Sequence, residues 1–182
     1  MSCELLTAYY LLLTTYRLPL TAHSPKIIKT VVTGKKGINM FEKVMEKRIM
    51  WGDLDALGIV FYPRYYEWID GCAHQFFEAI GVPHDQLWET HGIVFGLAET
   101  QCRYKQAGRY HQRINIGTRL AELSTKGLTL KHTITKKEDG TIMLMAIEKR
   151  ICLDARDRHD LKITTIPKTV YKLLEKALHE SK

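Results

Sequence analysis

One long apolar helix, predicted between Pro63 and Ile80, constrains the fold of this chain more than any other sequence feature. Apolar side chains recur there at steps of three and four residues, which is the period of a single helix face. Pro63 suits the first turn because the N–H that proline lacks would have no intrahelical acceptor there, and Gly81 supplies a C-terminal stop. The predicted apolar face comprises Tyr65, Trp68, Ile69, Cys72, Ala73, Phe76 and Ile80.

This apolar face is too wide for a single neighbouring surface to bury. Tyr66 and Phe77 broaden it. Polar side chains are left to the far side of the helix, at Glu67, Asp70, His74 and Glu78. A helix of this kind needs more than one packing partner. Because the chain that follows offers mostly strands, we expect a sheet to curl around the helix and at least two copies of the chain to associate.

Strand-like segments make up most of the remaining chain, because polar and apolar residues alternate in them. Asp139 and Gly140 form the strongest hairpin signal, typical of a type I′ turn. Short links predict that consecutive strands are antiparallel neighbours, and a final amphipathic helix is predicted from 166 to 180. The chain is therefore expected to form an α+β fold, with one helix against a five-stranded antiparallel sheet. The predicted strands are 41–51, 93–106, 112–124, 128–137 and 141–154.

Composition indicates one soluble globular domain and excludes several functions. The chain has 182 residues, of which 45% are hydrophobic and 26% charged. Its net charge is +7, but residues 1–39 carry +4 of it, so the remainder is only mildly cationic. Without a dense basic face or a reading motif, nucleic-acid binding is not expected. The four cysteines are widely spaced, with no CxxC pair, which indicates reduced cytosolic residues and no metal site or disulfide framework.

Residues 1–39 differ from the rest of the chain, whose strong periodic patterning begins at Met40. The apolar run 5–13 is far shorter than the ~20 residues that a membrane span needs. No basic region precedes it, which argues against a secretory signal. We expect 1–39 to be a disordered or dispensable extension, with an added helix and arm as the alternative. Residues 40–182 are expected to form the functional domain of a cytoplasmic protein with no membrane partner.

Two aspartates, Asp53 and Asp55, lie just before the predicted helix. Gly58 lets the backbone turn tightly between these aspartates and the helix. Unpaired N–H groups and the helix dipole place about half a unit of positive charge in front of this loop. Such donors can hold a carbonyl oxygen as it becomes negative. A nearby carboxylate can attack the carbonyl carbon or activate water.

A thioester is the substrate that suits a single carboxylate. The sequence contains no GxSxG motif and no Ser or Cys beside a plausible His partner. An amide or ester would need help for its basic leaving group, whereas a thiolate of pKa near 8.5 leaves unprotonated. The loop and the helix start therefore permit thioester hydrolysis.

The run GDLDALGIVFYPRYYEWID resembles the 4-hydroxybenzoyl-CoA thioesterase family, the hotdog-fold acyl-CoA thioesterases. The resemblance extends from about Phe41 to Leu178. It implies that Asp55 is catalytic, as nucleophile or general base, and that the Tyr62 backbone N–H polarises the thioester carbonyl. It further implies a helix wrapped by the sheet, a homodimer with a continuous sheet or a homotetramer, an acyl-CoA substrate, and no metal or organic cofactor.

Other residues near this motif have two interpretations each. Gly58, Tyr65 and Trp68 are expected near the substrate, although Tyr65 and Trp68 are chiefly core residues by their spacing. Lys126 lies at a turn where the resemblance implies contact with the phosphates of CoA, and a solvated turn lysine is the alternative. Asp53 is expected to be structural.

Two other functions fit the same fold. A non-catalytic acyl-CoA-binding module is the main alternative, since it would bind without releasing thiol. A hotdog dehydratase would need a catalytic His near the helix start, and none occurs from Asp53 to Glu67.

The aromatic side chains near the helix start suit an aryl and a medium aliphatic acyl group alike. Arg64 and the pair Ala56–Leu57 depart from the family pattern, which bears on substrate fit.

Overall fold

The computed structural model of the protein describes residues 32–33 and 39–179, with only the backbone described for 32–33 and 39–40. Strands β1 (Val32–Thr33) and β2 (Asn39–Met40) form a separate antiparallel ladder of two residues each. The expectation that 1–39 is an extension falls largely outside the described residues. It stays a prediction, as does the domain boundary at 40.

A six-stranded antiparallel sheet forms the framework of the fold. Across the sheet the order is β3-β5-β6-β7-β4, and the two-residue β8 pairs with the end of β7. The five long strands are those predicted from the alternating pattern. Together with the helices they confirm the α+β class. The strands are β3 (Lys43–Arg48), β4 (Ile93–Tyr104), β5 (Arg113–Leu123), β6 (Gly127–Lys136), β7 (Ile142–Asp154) and β8 (Lys162–Ile163).

The link between β4 and β5 does not join neighbouring strands, so the prediction that every short link does so was wrong here. Among the described residues, strand β4 lies at an edge of the sheet and pairs only with β7, whereas β5 lies between β3 and β6. The eight residues 105–112 can span at most about 28 Å when extended. That length lets the link cross the end of the curled sheet, where Gly108 accepts a hydrogen bond from the Val60 N–H at 3.0 Å.

The hairpin between β6 and β7 is present, but its turn differs from the predicted type I′. Gly140 has a positive φ of 71°, whereas Asp139 does not, and a type I′ turn needs both. Instead, the Asp139 carboxylate accepts a hydrogen bond from the Thr141 N–H at 2.9 Å. This side chain therefore stabilises a longer loop between Lys136 and Ile142.

Helix α1 (Tyr62–Ala79) is the central element, and its bounds match the predicted helix to within one residue. Pro63 occupies its first turn, and Gly81 beyond its end has a positive φ of 80°. The predicted polar positions of the far face are all exposed. Ile80 is only partly buried. The side chains that the helix buries are Tyr65, Trp68, Ile69, Cys72, Ala73, Phe76 and Phe77.

Two apolar clusters pack between α1 and the sheet, with a buried polar row between them. The first cluster surrounds the N-terminal half of α1 and includes Ile49, Val60, Ile114, Ile116, Ile134 and Leu144. The second surrounds its C-terminal half and includes Phe77, Leu120, Leu128, Leu130 and Cys152. In the polar row, Thr118 Oγ1 lies 2.9 Å from His132 Nδ1, and Arg150 donates to Glu148 at 2.7 Å. The first cluster therefore supports the end of α1 where the aspartate loop lies.

Two shorter helical segments complete the fold. Helix α2 (His84–Gln86) continues into a π-helical turn at Leu87–His91, which Gly92 ends in the left-handed conformation. The terminal helix α3 (Lys168–His179) packs on the second cluster. Leu173 on this helix is 40% exposed. None of the helices in the described part of the chain is both long and apolar enough to cross a membrane.

Removing the Phe76 side chain tests the burial of α1. We expect Phe76→Ala to lower the free energy of unfolding by about 3–5 kcal/mol, because the fully buried ring would leave a cavity. Urea unfolding at fixed protein concentration measures this loss. Glu78→Ala, on the exposed side of the same helix, is the control and should change it by less than about 0.5 kcal/mol. Equal losses in the two variants would contradict the burial described.

Candidate active site

Asp53 holds the loop between β3 and α1. It closes a 3-10 turn at Trp51–Asp53, and its side chain is nearly buried. Its Oδ2 accepts a hydrogen bond from the Met50 N–H at 2.8 Å, and Lys47 Nζ lies 3.7 Å away. Its backbone C=O also accepts the Phe61 N–H at 2.9 Å. These contacts agree with the structural role expected for Asp53.

Asp55 lies two residues further along, in a tight turn with one carboxylate oxygen already bonded. Its Oδ1 accepts the Leu57 N–H at 2.8 Å, and its backbone N–H donates to the Ile59 C=O at 2.9 Å. Gly58 has a positive φ of 68° and donates its N–H to the Asp55 C=O at 3.0 Å. No described residue donates a hydrogen bond to Oδ2 of Asp55. The carboxylate is therefore fixed through one oxygen, and the other is available for chemistry.

The N-terminal turn of α1 presents the Tyr62 backbone N–H as an unpaired donor among the described residues. Phe61 is the N-cap and offers no side-chain acceptor, and its own N–H is bonded to Asp53. Pro63 has no N–H, and the Arg64 N–H donates to the Phe61 C=O at 2.9 Å. Among the described residues, none accepts a hydrogen bond from the Tyr62 N–H. That group is therefore free to bind an oxygen atom with developing negative charge, supported by the helix dipole.

Asp55 and Tyr62 line one cavity of about 390 Å³ at this end of the helix. Tyr65 also lines it, and burial raises the pKa of its phenol above the ordinary value, so the hydroxyl is neutral at neutral pH. Sequence reasoning missed the cavity wall formed by residues 104–107. They reach the cavity only because the 105–112 link crosses the sheet end. The lining residues are Asp55, Ile59, Val60, Tyr62, Tyr65 and 104–107.

Gly58 and Trp68 do not line this cavity, although both were predicted near the substrate. Gly58 lies in the exposed part of the aspartate turn, where it supplies the required backbone conformation. Trp68 is 6% exposed within the first cluster, with its ring edge-on to Tyr65 at 5.3 Å between centroids. Lys47 Nζ lies 5.0 Å from the Trp68 ring centroid. In one chain, therefore, both residues support the site and do not face the cavity.

Lys126 lies at the opposite end of the sheet from Asp55. The Lys126 C=O accepts the N–H of Cys152, in strand β7, at 2.8 Å. The other end of β7 lies at the cavity, where the Met143 C=O accepts the N–H of the lining residue Lys105 at 2.8 Å. Nine residues of strand β7 separate these points, or roughly 30 Å. A single chain therefore does not bring Lys126 to the cavity.

The described part of the chain, searched for metal-binding groups, contains no cluster of three or more His, Cys, Asp or Glu side chains placed to hold a metal ion. The groups that line the cavity include the Asp55 carboxylate, the unpaired Tyr62 backbone N–H, the phenols of Tyr62, Tyr65 and Tyr104, and the Lys105 side chain. This set can activate water or attack an acyl carbon, and can stabilise an oxyanion.

The sequence is similar to a family model and to a relative that is named as a CoA thioesterase. Residues 49–174 match the model of the thioesterase-like superfamily. The 4-hydroxybenzoyl-CoA thioesterase of Pseudomonas sp. (strain CBS-3) is 26% identical over 98 residues, which cover 53% of this chain and 70% of that protein.

Similar solved structures carry the same activity in their names. A gentisyl-coenzyme A thioesterase is 34% identical, and the match covers 70% of this chain and 98% of that protein with a TM-score of 0.61. A mutant 4-hydroxybenzoyl-CoA thioesterase complexed with 4-hydroxybenzoyl-CoA is 25% identical. That match covers 73% of this chain and 98% of the thioesterase, with a TM-score of 0.67. The fold and these similarities thus define a thioester hydrolase of the hotdog class. The chain belongs to the thioesterase-like superfamily.

Truncating each aspartate separates the structural role from the chemical one. We expect Asp53→Ala to lower the free energy of unfolding by about 1–2 kcal/mol, because it leaves the Met50 N–H without its acceptor. Asp55→Ala is the matched control. It should lower the free energy by less than about 0.5 kcal/mol, since the Leu57 N–H that it frees is exposed to water. Urea unfolding measures both values, and a larger loss for Asp55→Ala would reverse the assignment.

Proposed function

We propose that the protein hydrolyses an acyl-CoA thioester to the free acid and CoA, with Asp55 as nucleophile or general base. One observation carries this proposal: the Asp55 carboxylate and the helix start at Tyr62 line the same cavity. The unpaired Tyr62 N–H is the donor that would hold the thioester oxygen. No cofactor is needed, because the thiolate is a good leaving group.

Both chemical routes use the same two groups. As a general base, Asp55 takes a proton from water while the water oxygen bonds to the acyl carbon. As a nucleophile, its free Oδ2 attacks that carbon and forms a mixed anhydride, which water then hydrolyses. In either route the carbonyl oxygen gains negative charge and accepts the Tyr62 N–H, and collapse of the tetrahedral intermediate expels the CoA thiolate.

The cavity wall favours an aryl acyl group over an aliphatic one. Ile59, Val60 and the phenol rings of Tyr65 and Tyr104 line it. Aromatic rings pack well against one another in edge-on or offset geometry. The volume of about 390 Å³ lies within the range of small-ligand sites. The two similar thioesterases described above are named for hydroxyaryl-CoA substrates. A medium-chain aliphatic acyl group is the alternative.

A homodimer would explain how Lys126 could contribute. No strand in the described part of the chain pairs with the outer edge of β4, and Leu97 and Tyr104 are exposed along this strand. Such an edge is suited to pairing with a second copy. Two β4 strands related by a twofold axis run antiparallel, so the cavity end of one chain would lie beside the partner's far end. Lys126 of the partner subunit would then approach the cavity and could bind the CoA phosphates. A homotetramer of such dimers and a cytoplasmic location complete the proposal.

Replacing the Asp55 carboxylate tests its catalytic role. We expect Asp55→Asn to lower kcat by about 10²-fold or more, because an amide can neither attack nor accept a proton. Thiol release from benzoyl-CoA, 4-hydroxybenzoyl-CoA and hexanoyl-CoA provides the assay and ranks the acyl groups. Asp85→Asn, an exposed change on helix α2, is the control and should retain wild-type kcat.

Two outcomes would contradict this proposal. Undiminished kcat in Asp55→Asn would remove Asp55 from its catalytic role. Tight binding of acyl-CoA by the wild-type protein with no thiol release from any of the three substrates would favour the non-catalytic binding module.

Replacing Tyr62 by two different residues tests the backbone donor. Tyr62→Pro removes the N–H from the helix start, and we expect kcat to fall about 10²- to 10³-fold because the oxyanion loses its donor. Tyr62→Ala removes the side chain but keeps the N–H, and should retain kcat within about tenfold. Circular dichroism confirms that both variants are folded. Equal kcat values in the two variants would exclude the Tyr62 N–H as the oxyanion donor.

A further inference from the structure

A buried hydrogen bond joins the crossing link 105–112 to helix α1. The Gly108 N–H donates to the Tyr65 hydroxyl at 3.0 Å, and the Gly108 C=O accepts the Val60 N–H at 3.0 Å. Tyr65 is 4% exposed and Gly108 is buried. Loss of this buried hydrogen bond is costly, because the Gly108 N–H would then be unsatisfied and could not bond to water.

The two ends of the link are held by strands, not by the helix. The Lys105 N–H donates to the Met143 C=O at 2.8 Å, and the Gln112 C=O accepts the Ile49 N–H at 2.9 Å. Gly108 therefore marks the point between these anchors where a side chain of α1 fixes the link. Part of the cavity wall lies in the same link, so its position also sets the width of the cavity.

The packing at this point is close enough to require glycine. A Cβ atom placed on Gly108 would lie 2.7 Å from Val60 Cγ2 and 2.9 Å from the Tyr65 hydroxyl oxygen. Gly108 is not among the glycines with positive φ, so close approach and not backbone conformation demands it. The link thus contacts helix α1 through the Tyr65 hydroxyl and the end of the aspartate loop through the Val60 side chain.

Few bonds separate this contact from Asp55. Val60, which donates to Gly108, also bridges to Leu54, the residue before Asp55. Ile59 accepts the Asp55 N–H at 2.9 Å and forms a second bridge to Arg109 in the link. A shift of the link at Gly108 would therefore move the backbone that carries the carboxylate.

We propose that Tyr65 is a positioning residue for thioester hydrolysis: its hydroxyl clamps the link at Gly108 and thereby fixes the Asp55 loop relative to the helix start. This inference rests on the proposed function of Asp55. A displacement of about 1 Å in a reacting group can cost about 10²-fold in rate. Binding of the CoA moiety uses other contacts, so loss of the clamp should lower kcat with little change in KM.

Tyr65→Phe removes the hydroxyl and keeps the ring. We expect kcat for the best acyl-CoA substrate to fall about ten- to one-hundredfold, with KM changed by less than about threefold. Tyr171→Phe removes a phenol hydroxyl from α3, at the far end of the molecule, and should retain the wild-type kcat. Rates are measured well below the unfolding temperature and per folded protein, so that a loss of stability alone does not lower them.

The outcome can be read separately from that for Asp55. A kcat within about threefold of wild type in Tyr65→Phe overturns the positioning role, as does an equal fall in Tyr171→Phe. If Asp55→Asn loses activity while Tyr65→Phe does not, only the positioning role fails. Undiminished kcat in Asp55→Asn overturns the proposed function itself.

A second measurement keeps the inference testable if Tyr65→Phe does not fold. Amide hydrogen exchange at Gly108 is followed by NMR in the wild-type protein. We expect this amide to exchange at least about 10²-fold more slowly than an unstructured amide, because it is buried and bonded to Tyr65. Exchange as fast as that of an unstructured amide would overturn the clamp.

Discussion

The fold depends on burying the wide apolar face of one helix while leaving the first turn of that helix open. Seven side chains of α1 are buried against the sheet, and no single flat surface could cover so wide a face. A curled sheet solves this problem along the body of the helix. It does not cover the N-terminal end, where the Tyr62 N–H stays unpaired among the described residues. The way in which the sheet packs on α1 thus also leaves the N-terminal end of this helix open for the candidate site.

The crossing link converts that open end into a cavity. Because β4 lies at the sheet edge and β5 near the other side, residues 105–112 must pass the helix start. There the link supplies one wall of the cavity, and the aspartate loop supplies another. Gly108 of the link packs closely against Val60 at the end of that loop, and its N–H donates to the Tyr65 hydroxyl. In the arrangement that we infer, the Asp55 loop is fixed by an element of the fold that carries none of the reacting groups.

Local features were predictable from the sequence, and long-range ones were not. Periodicity and Pro63 located α1 to within one residue, because both act within a few residues along the chain. Alternation located the five long strands but specifies only which face of a strand is buried, not which strand is its neighbour. The β4–β5 crossing was therefore missed, and with it the cavity wall at 104–107. The expectation for Lys126 came from the family resemblance and not from the residue pattern, and it stays a prediction, since within one chain most of strand β7 separates Lys126 from the cavity.

The central claim is that a carboxylate and an unpaired helix N–H act on opposite sides of one thioester carbonyl. A crystal structure of the protein with a non-hydrolysable acyl-CoA analogue tests it most directly. The account predicts that the carbonyl oxygen lies about 3 Å from the Tyr62 nitrogen. It also predicts that the free Oδ2 of Asp55 faces the acyl carbon, directly or through one water. An analogue bound with its carbonyl away from the helix start, or with Asp55 turned from the acyl carbon, would contradict it.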